Sequence, residues 1–154
     1  MDDSVIEIDS GRLARLEDGV GHRFRDLGLL ARALTHPSFA HEHPPRTHHE
    51  ALALLGDAAL SLAVAEHLHT ADPDAPVGVL TSRRAEIVSG ANLARWATAL
   101  ELGGMLRLGR GEEQTGGRAR ASILATTLEA VLGAIYLEAG PETLRAAVAR
   151  LAGW

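Results

Sequence analysis

The sequence contains no cysteine and no lysine, and aromatic residues make up only 3% of its 154 positions. Without cysteine there can be no disulfide and no thiol nucleophile, and so few aromatic side chains argue against a stacking platform for single-stranded nucleic acid. No run of eighteen or more apolar residues is present, so we expect no membrane partner. The acidic N-terminus lacks the apolar stretch of a signal peptide, and together with the lack of cysteine this predicts a cytoplasmic location.

The length of the chain limits how many domains it can form, and its net charge limits which partners it can bind. A chain of 154 residues fits one core of ordinary size, and we divide it into an acidic tail at 1–10 and a domain at 11–154. The formal net charge is −5, which opposes binding to nucleic acid unless basic residues form a local patch. All fifteen basic residues are arginine, and the candidates for such a patch are Arg83, Arg84, Arg107, Arg110, Arg118 and Arg120. We expect most of these to be solvated or paired with the many Glu and Asp residues instead.

Proline, glycine and the apolar periodicity predict an all-α fold. Pro37 is expected to stop a helix, Ser122 to cap one, and Gly140 with Pro141 to break one. Segments 41–48 and 103–117 are predicted to be connections. Helices are predicted over 12–16, 27–35, 49–69, 79–88, 91–100, 122–138 and 142–151.

Carboxylates recur with helical spacing inside two apolar segments, HHEALALLGDAAL at 48–60 and SILATTLEAVLGAIYLE at 122–138. Glu50, position 53 and Asp57 share one helix face, and Thr126 and Glu129 share another. Carboxylates on two facing helices could hold Mg²⁺, and two such ions can clamp the attacking and leaving oxygens of a phosphodiester. The alternative is that these carboxylates are ordinary solvated helix residues.

Both segments resemble the signature segments of the ribonuclease III endonuclease domain, which read roughly N-E-R-L-E-F-L-G-D and S-I-L-A-D-x-L-E-A-x-I-G-A-I-Y-L-D. The resemblance extends from about residue 13 to residue 148 and includes ALTHPS at 33–38. It implies the ribonuclease III endonuclease-domain fold, a dimeric helical bundle, for the domain at 11–154. Many members of the family carry a double-stranded-RNA-binding domain after this one, and we expect none in this sequence. The first signature helix forms the dimer interface in this family, and Leu54 stands there in place of an aromatic residue.

The same resemblance places the family's four acidic metal ligands at positions 53, 57, 126 and 129. Asp57 and Glu129 remain, whereas Ala53 and Thr126 replace the other two ligands. The resemblance therefore implies a degenerate metal site with no cofactor, or at most weakly bound Mg²⁺. His49 replaces the family's asparagine beside Glu50, and a histidine there could act as a general acid or base.

Three functions are consistent with these residues. The favoured hypothesis is a metal-independent acid–base enzyme of the cyclase or dehydratase type, which acts on a small molecule in the dimer valley. Its catalytic residues would be Glu50, Asp57, Glu129 and His49, with Thr126 as a hydrogen-bond donor. One alternative is a non-catalytic protein that binds RNA or the ribosome. The other is a Mg²⁺-dependent ribonuclease with residual activity on double-stranded RNA.

Overall fold

The structure, a computed structural model, describes residues 7–154. These residues form helices joined by turns and loops, with an isolated bridge between Thr35 and Arg107. The prediction of an all-α fold is thus confirmed. Two short 3₁₀ segments, Leu102–Met105 and Gly117–Ala119, flank the seventh helix. The α-helices of the described range are α1 (Ser10–Val20), α2 (Leu27–Ala33), α3 (Pro37–Glu42), α4 (Glu50–Ala71), α5 (Val77–Ile87), α6 (Gly90–Ala99), α7 (Arg110–Gln114), α8 (Ala121–Ala139) and α9 (Pro141–Ala152).

The predicted tail at 1–10 falls largely outside the described residues. Ser10 already belongs to α1, because the Asp9 carboxylate accepts a hydrogen bond from the Arg12 N–H at 2.8 Å and so caps the helix. The division into a tail and a domain remains a prediction.

Helix α8 forms the centre of the core and packs against α4, α6 and α9. Most of its side chains between Ile123 and Ile135 are buried. Helices α4 and α8 are both long and apolar enough to cross a membrane by length and composition, with mean hydropathies of 1.5 and 1.4. The packing of α8 accounts for its apolar sequence, since a helix surrounded by others is hydrophobic on every face.

Glycines bring α4 and α8 into backbone contact where the two helices cross. A Cβ added to Gly56 would lie 1.7 Å from the carbonyl oxygen of Glu129, and one added to Gly133 would lie 2.2 Å from that of Leu52. Only glycine permits so close an approach. The crossing therefore places Asp57, the residue after Gly56, beside Glu129.

Helix α3 and the start of α8 differ from the prediction. Pro37 begins α3 instead of stopping a helix, since proline lacks an N–H and suits the first helical turn. His36 caps this helix through Nδ1, which accepts the Ser38 N–H at 3.1 Å. Ser122 does not cap α8, which begins one residue earlier at Ala121. The segment 103–117, predicted to be a plain connection, contains α7 and parts of both 3₁₀ segments.

Candidate functional site

Asp57 and Glu129 form the electrostatic centre of the candidate site. Asp57 is exposed on α4, and Glu129 is half-buried on α8 at the glycine crossing. Burial, and then the negative charge of Asp57, raises the pKa of Glu129 to about 7. The two carboxylates therefore repel each other, and a cation placed between them would relieve that repulsion.

Glu50 lies at the first position of α4, seven residues before Asp57 and thus roughly 10 Å away along the helix axis. Its charge acts on the imidazole of His36. Within residues 7–154, no group of three His, Asp or Glu side chains is arranged to hold a metal ion. The structure thus brings Asp57 and Glu129 together but does not join Glu50 to them as a third ligand.

Neither Ala53 nor Thr126 supplies an anionic oxygen at the crossing. Ala53 is buried among the apolar residues of the core. The Thr126 hydroxyl donates to the carbonyl of Ser122 at 2.9 Å, so its proton is not available to a ligand. Weak binding of metal ions remains a prediction based on these two positions.

His49 is almost completely buried, with 2% of its surface exposed. Neither ring nitrogen has a hydrogen-bond partner among the described residues, and the ring packs edge-to-face against His36 at a centroid distance of 5.7 Å. Burial, and then the positive charges of His36 and His48, lowers the pKa of His49 to about 4. A neutral imidazole closed off from solvent is poorly placed for the general acid–base role predicted for His49, and that role remains untested.

Replacing His49 with asparagine should remove an acid sensitivity of the fold. The unfolded chain takes up the proton near pH 6.5, whereas the folded chain does so only near pH 4. Stability is therefore complete above pH 6.5 and falls as the pH drops towards 4, by about 3 kcal/mol in all. Urea unfolding at several pH values should show a flatter profile for His49→Asn than for wild type.

The matched control for this measurement is His69→Asn, on the exposed last turn of α4, the helix that His49 precedes. It should leave the pH profile unchanged. Identical profiles for His49→Asn and wild type would show that the buried imidazole does not cause the acid sensitivity.

Sequence reasoning missed how α3 holds the segment before α7. Ser38 Oγ accepts the Gly109 N–H at 2.8 Å, and Glu42 Oε1 accepts the Arg110 N–H at 2.9 Å. Because Pro37 was taken to end a helix, these contacts of Ser38 and Glu42 were not predicted. A proline at the first helical turn preceded by a polar residue is a start signal that could have located this helix.

Four surface cavities formed by the described residues have volumes of about 450, 370, 310 and 280 Å³. None of these four is lined by Asp57 or Glu129.

Solved structures with the same architecture include two of the nuclease domain of ribonuclease III from Campylobacter jejuni. One has a TM-score of 0.85 with 37% sequence identity, and the match covers 94% of each chain. The other has a TM-score of 0.84 with 38% identity and covers 90% of this chain and 94% of that one. Its description reports structural flexibility in the region involved in dimer formation.

Curated relatives correct the functional hypothesis favoured from the sequence. Ribonuclease 3 of Heliobacterium modesticaldum is 48% identical over 91% of this chain, and ribonuclease 3 of Streptomyces coelicolor is 48% identical over 88%. The hypothesis of a metal-independent cyclase or dehydratase was wrong, because relatives this similar carry the nuclease name. It gave too much weight to two missing ligands, although Mg²⁺ needs only one or two protein carboxylates when phosphates and waters complete its shell.

The chain matches only part of each of these relatives. It spans 60% of the length of the Heliobacterium protein and 49% of the Streptomyces protein. The sequence model of the Ribonuclease-III-like family matches residues 26–152, which include both signature segments. With this match, the relatives and the helical architecture in agreement, the chain belongs to the ribonuclease III family.

Proposed function

We propose that this chain is a nuclease domain that cleaves double-stranded RNA. The observation that carries the proposal is the Asp57–Glu129 pair, which glycine-mediated contact between α4 and α8 holds at the crossing. The similarity to proteins named ribonuclease 3 supports the same activity.

The Asp57–Glu129 pair fits a single divalent cation better than two. Mg²⁺ in phosphoryl-transfer sites is often held by one or two carboxylates, with waters and substrate phosphates as the remaining ligands. Burial, and then the charge of Asp57, raises the pKa of Glu129, and a cation at the pair would relieve the repulsion between the two carboxylates. Such an ion supplies charge neutralisation at the phosphate and an activated water.

The protonation state of Glu129 couples cation binding to pH. The carboxylate must be ionised to act as a ligand, and its pKa of about 7 means that a proton competes with the cation near neutral pH. Asp57 and Glu129 would hold the cation, and binding would strengthen as the pH rises through this value. Glu50, farther along α4, contributes negative charge at the end of the same face.

A second candidate function is binding of double-stranded RNA without cleavage. It is favoured by the neutral side chains of Ala53 and Thr126 and by the lack of a three-ligand cluster among residues 7–154. The two candidates predict the same RNA complex and differ only in turnover.

We further propose that the chain is a homodimer. Large apolar side chains remain exposed on α4 and α5, where Leu54 is 75%, Leu62 59% and Val77 79% exposed. Helix α5 has no buried residue at all. A second copy that covers this surface would bury apolar area on both chains.

A cytoplasmic location also stays a prediction.

Cleavage of a long RNA duplex is the direct test of the proposed function. We expect wild type to shorten the duplex in the presence of Mg²⁺ or Mn²⁺, whereas Glu129→Gln and Asp57→Asn should each lose roughly a hundredfold or more in rate, because each removes one anionic ligand. Gel analysis of the products gives the rates. Light scattering of the same protein preparations should give the mass of two chains.

Glu66→Gln is a suitable control, since this exposed carboxylate lies on the same helix and pairs with Arg145 away from the crossing. It should cleave like wild type. A wild-type protein that binds the duplex but leaves it intact at high Mn²⁺ would favour the second candidate, and equal cleavage by Glu129→Gln would exclude the proposed site.

A further inference from the structure

A partly buried aromatic ring within α3 has three basic side chains around it. We call this group the Phe39 cluster and define it as Phe39, His43, Arg46 and Arg107. His43 stacks on the ring at a centroid distance of 4.1 Å and an angle of 17°. The guanidinium carbons of Arg46 and Arg107 each lie 5.8 Å from the ring centroid.

Backbone contacts hold Arg107 rigidly within this cluster. Its N–H donates to the Leu34 carbonyl at 2.9 Å, and its carbonyl accepts the His36 N–H at 3.0 Å. Two residues later, Ser38 Oγ accepts the Gly109 N–H. These contacts fix the main chain at Arg107, while the cation–π contact with Phe39 positions its guanidinium group.

The charge on Arg107 lacks a carboxylate partner, since no Asp or Glu of the described range forms a salt bridge with it. Partial burial, and then the positive charge of Arg46, lowers the pKa of Arg107. Glu42, on the neighbouring helix α3, uses Oε1 to accept the Arg110 N–H at 2.9 Å. Two like charges beside one ring are a favourable environment for an anion.

The aromatic ring positions the cations and does not serve as a platform for a base. Cation–π contacts hold guanidinium groups near a ring, while His43 already covers one face of Phe39. The Nδ1–H of His43 donates to the Phe39 carbonyl at 3.0 Å, which keeps this imidazole in place. The ligand suited to such a site is compact and anionic, as a phosphate group is.

The cluster lies at the same end of the domain as the start of α4. The loop from His43 to His49 leads directly to Glu50, and the carboxylate of Glu50 acts on His36 at the start of α3. An RNA duplex that crosses the carboxylate face of α4 is long enough to reach this end as well.

We propose that the Phe39 cluster binds a backbone phosphate of double-stranded RNA, with Arg107 as the principal contact. This inference rests on the proposed function, because it takes the duplex as the ligand of the same face. It assigns RNA contact to a surface outside the carboxylate pair in a chain whose net charge is −5.

Salt-dependent binding to a short fluorescent RNA duplex tests this inference. The assay is done in EDTA, so that binding is measured without cleavage. One lost phosphate contact should weaken binding of Arg107→Gln roughly eightfold at 0.1 M salt and reduce the slope of log K against log salt by about one. Arg107→Lys should keep the slope, since it retains the charge.

Arg15→Gln is the matched control, because Arg15 is 60% exposed on α1 and pairs with Glu101. Unchanged affinity and slope in Arg107→Gln would overturn the inference, as would a wild type that does not bind the duplex. Stronger displacement by polyglutamate than by unlabelled duplex would overturn it in favour of an acidic protein partner. A wild type that binds with the expected slopes but never cleaves would sink only the nuclease proposal.

Discussion

The double variant Ala53→Glu with Thr126→Asp is expected to bind Mg²⁺ at least roughly tenfold more tightly than wild type and to cleave duplex RNA faster. Each substitution adds a carboxylate within one turn of Asp57 or Glu129 on the same helix face. The two substitutions raise the number of carboxylates around the cation from two to four. Calorimetric titration with Mg²⁺ measures the affinity, and duplex cleavage measures the rate.

Ala51→Glu with Thr126→Asp provides the control, because Ala51 is exposed on α4 but does not share a face with Asp57. It adds the same net charge. Thermal unfolding of both variants shows whether the fold is kept. If the two double variants bind Mg²⁺ equally, then position 53 does not face the carboxylate pair, and the assignment of the family's ligands to this chain is wrong.

Gly56→Ala should have the largest effect on stability of any single-methyl change in the domain, with a loss of about 3 kcal/mol or more. The new Cβ would lie 1.7 Å from the carbonyl oxygen of Glu129, an atom that cannot rotate away as a side chain could. The helices would have to separate, which would also move Asp57 away from Glu129. Urea unfolding measures the stability, and duplex cleavage should fall with it.

Gly90→Ala offers a direct comparison. A Cβ added to Gly90, at the start of α6, meets no atom within 4 Å, and alanine favours a helix over glycine by about 1 kcal/mol. This variant should be as stable as wild type or slightly more stable. Equal stability for Gly56→Ala and Gly90→Ala would mean that the crossing relaxes easily and that the backbone contact does not position the carboxylates.

Much of the fold could be predicted from residues that act locally. Gly140 and Pro141 marked the boundary between α8 and α9, and the apolar periodicity marked α4, because these signals depend only on neighbouring residues. Helix α3 was missed because Pro37 can either end a helix or begin one, and the cap that decides the matter is the imidazole of His36. Imidazole caps are less common than Ser, Thr, Asp or Asn caps.

The sequence suggests candidate residues for the site, but it does not give the environment in which they lie. The spacing placed Asp57 and Glu129 on their helices, and the resemblance identified them as a pair. The burial of His49 and the half-burial of Glu129 depend on which helices pack over them, which is a property of the tertiary structure. Similarly, Arg107 was one of six arginine candidates, and only the contact with Phe39 distinguishes it from the others.

The glycine crossing separates two properties of the site: how closely the two helices approach, and which ligands their side chains supply. Main-chain atoms of α4 and α8 make the contact, so the side chains that line the site do not have to hold the two helices together there. A carboxylate at an exposed position such as Asp57 can therefore be lost without removing the contact. The backbone crossing and the ligands of a cation are thus separate targets for substitution.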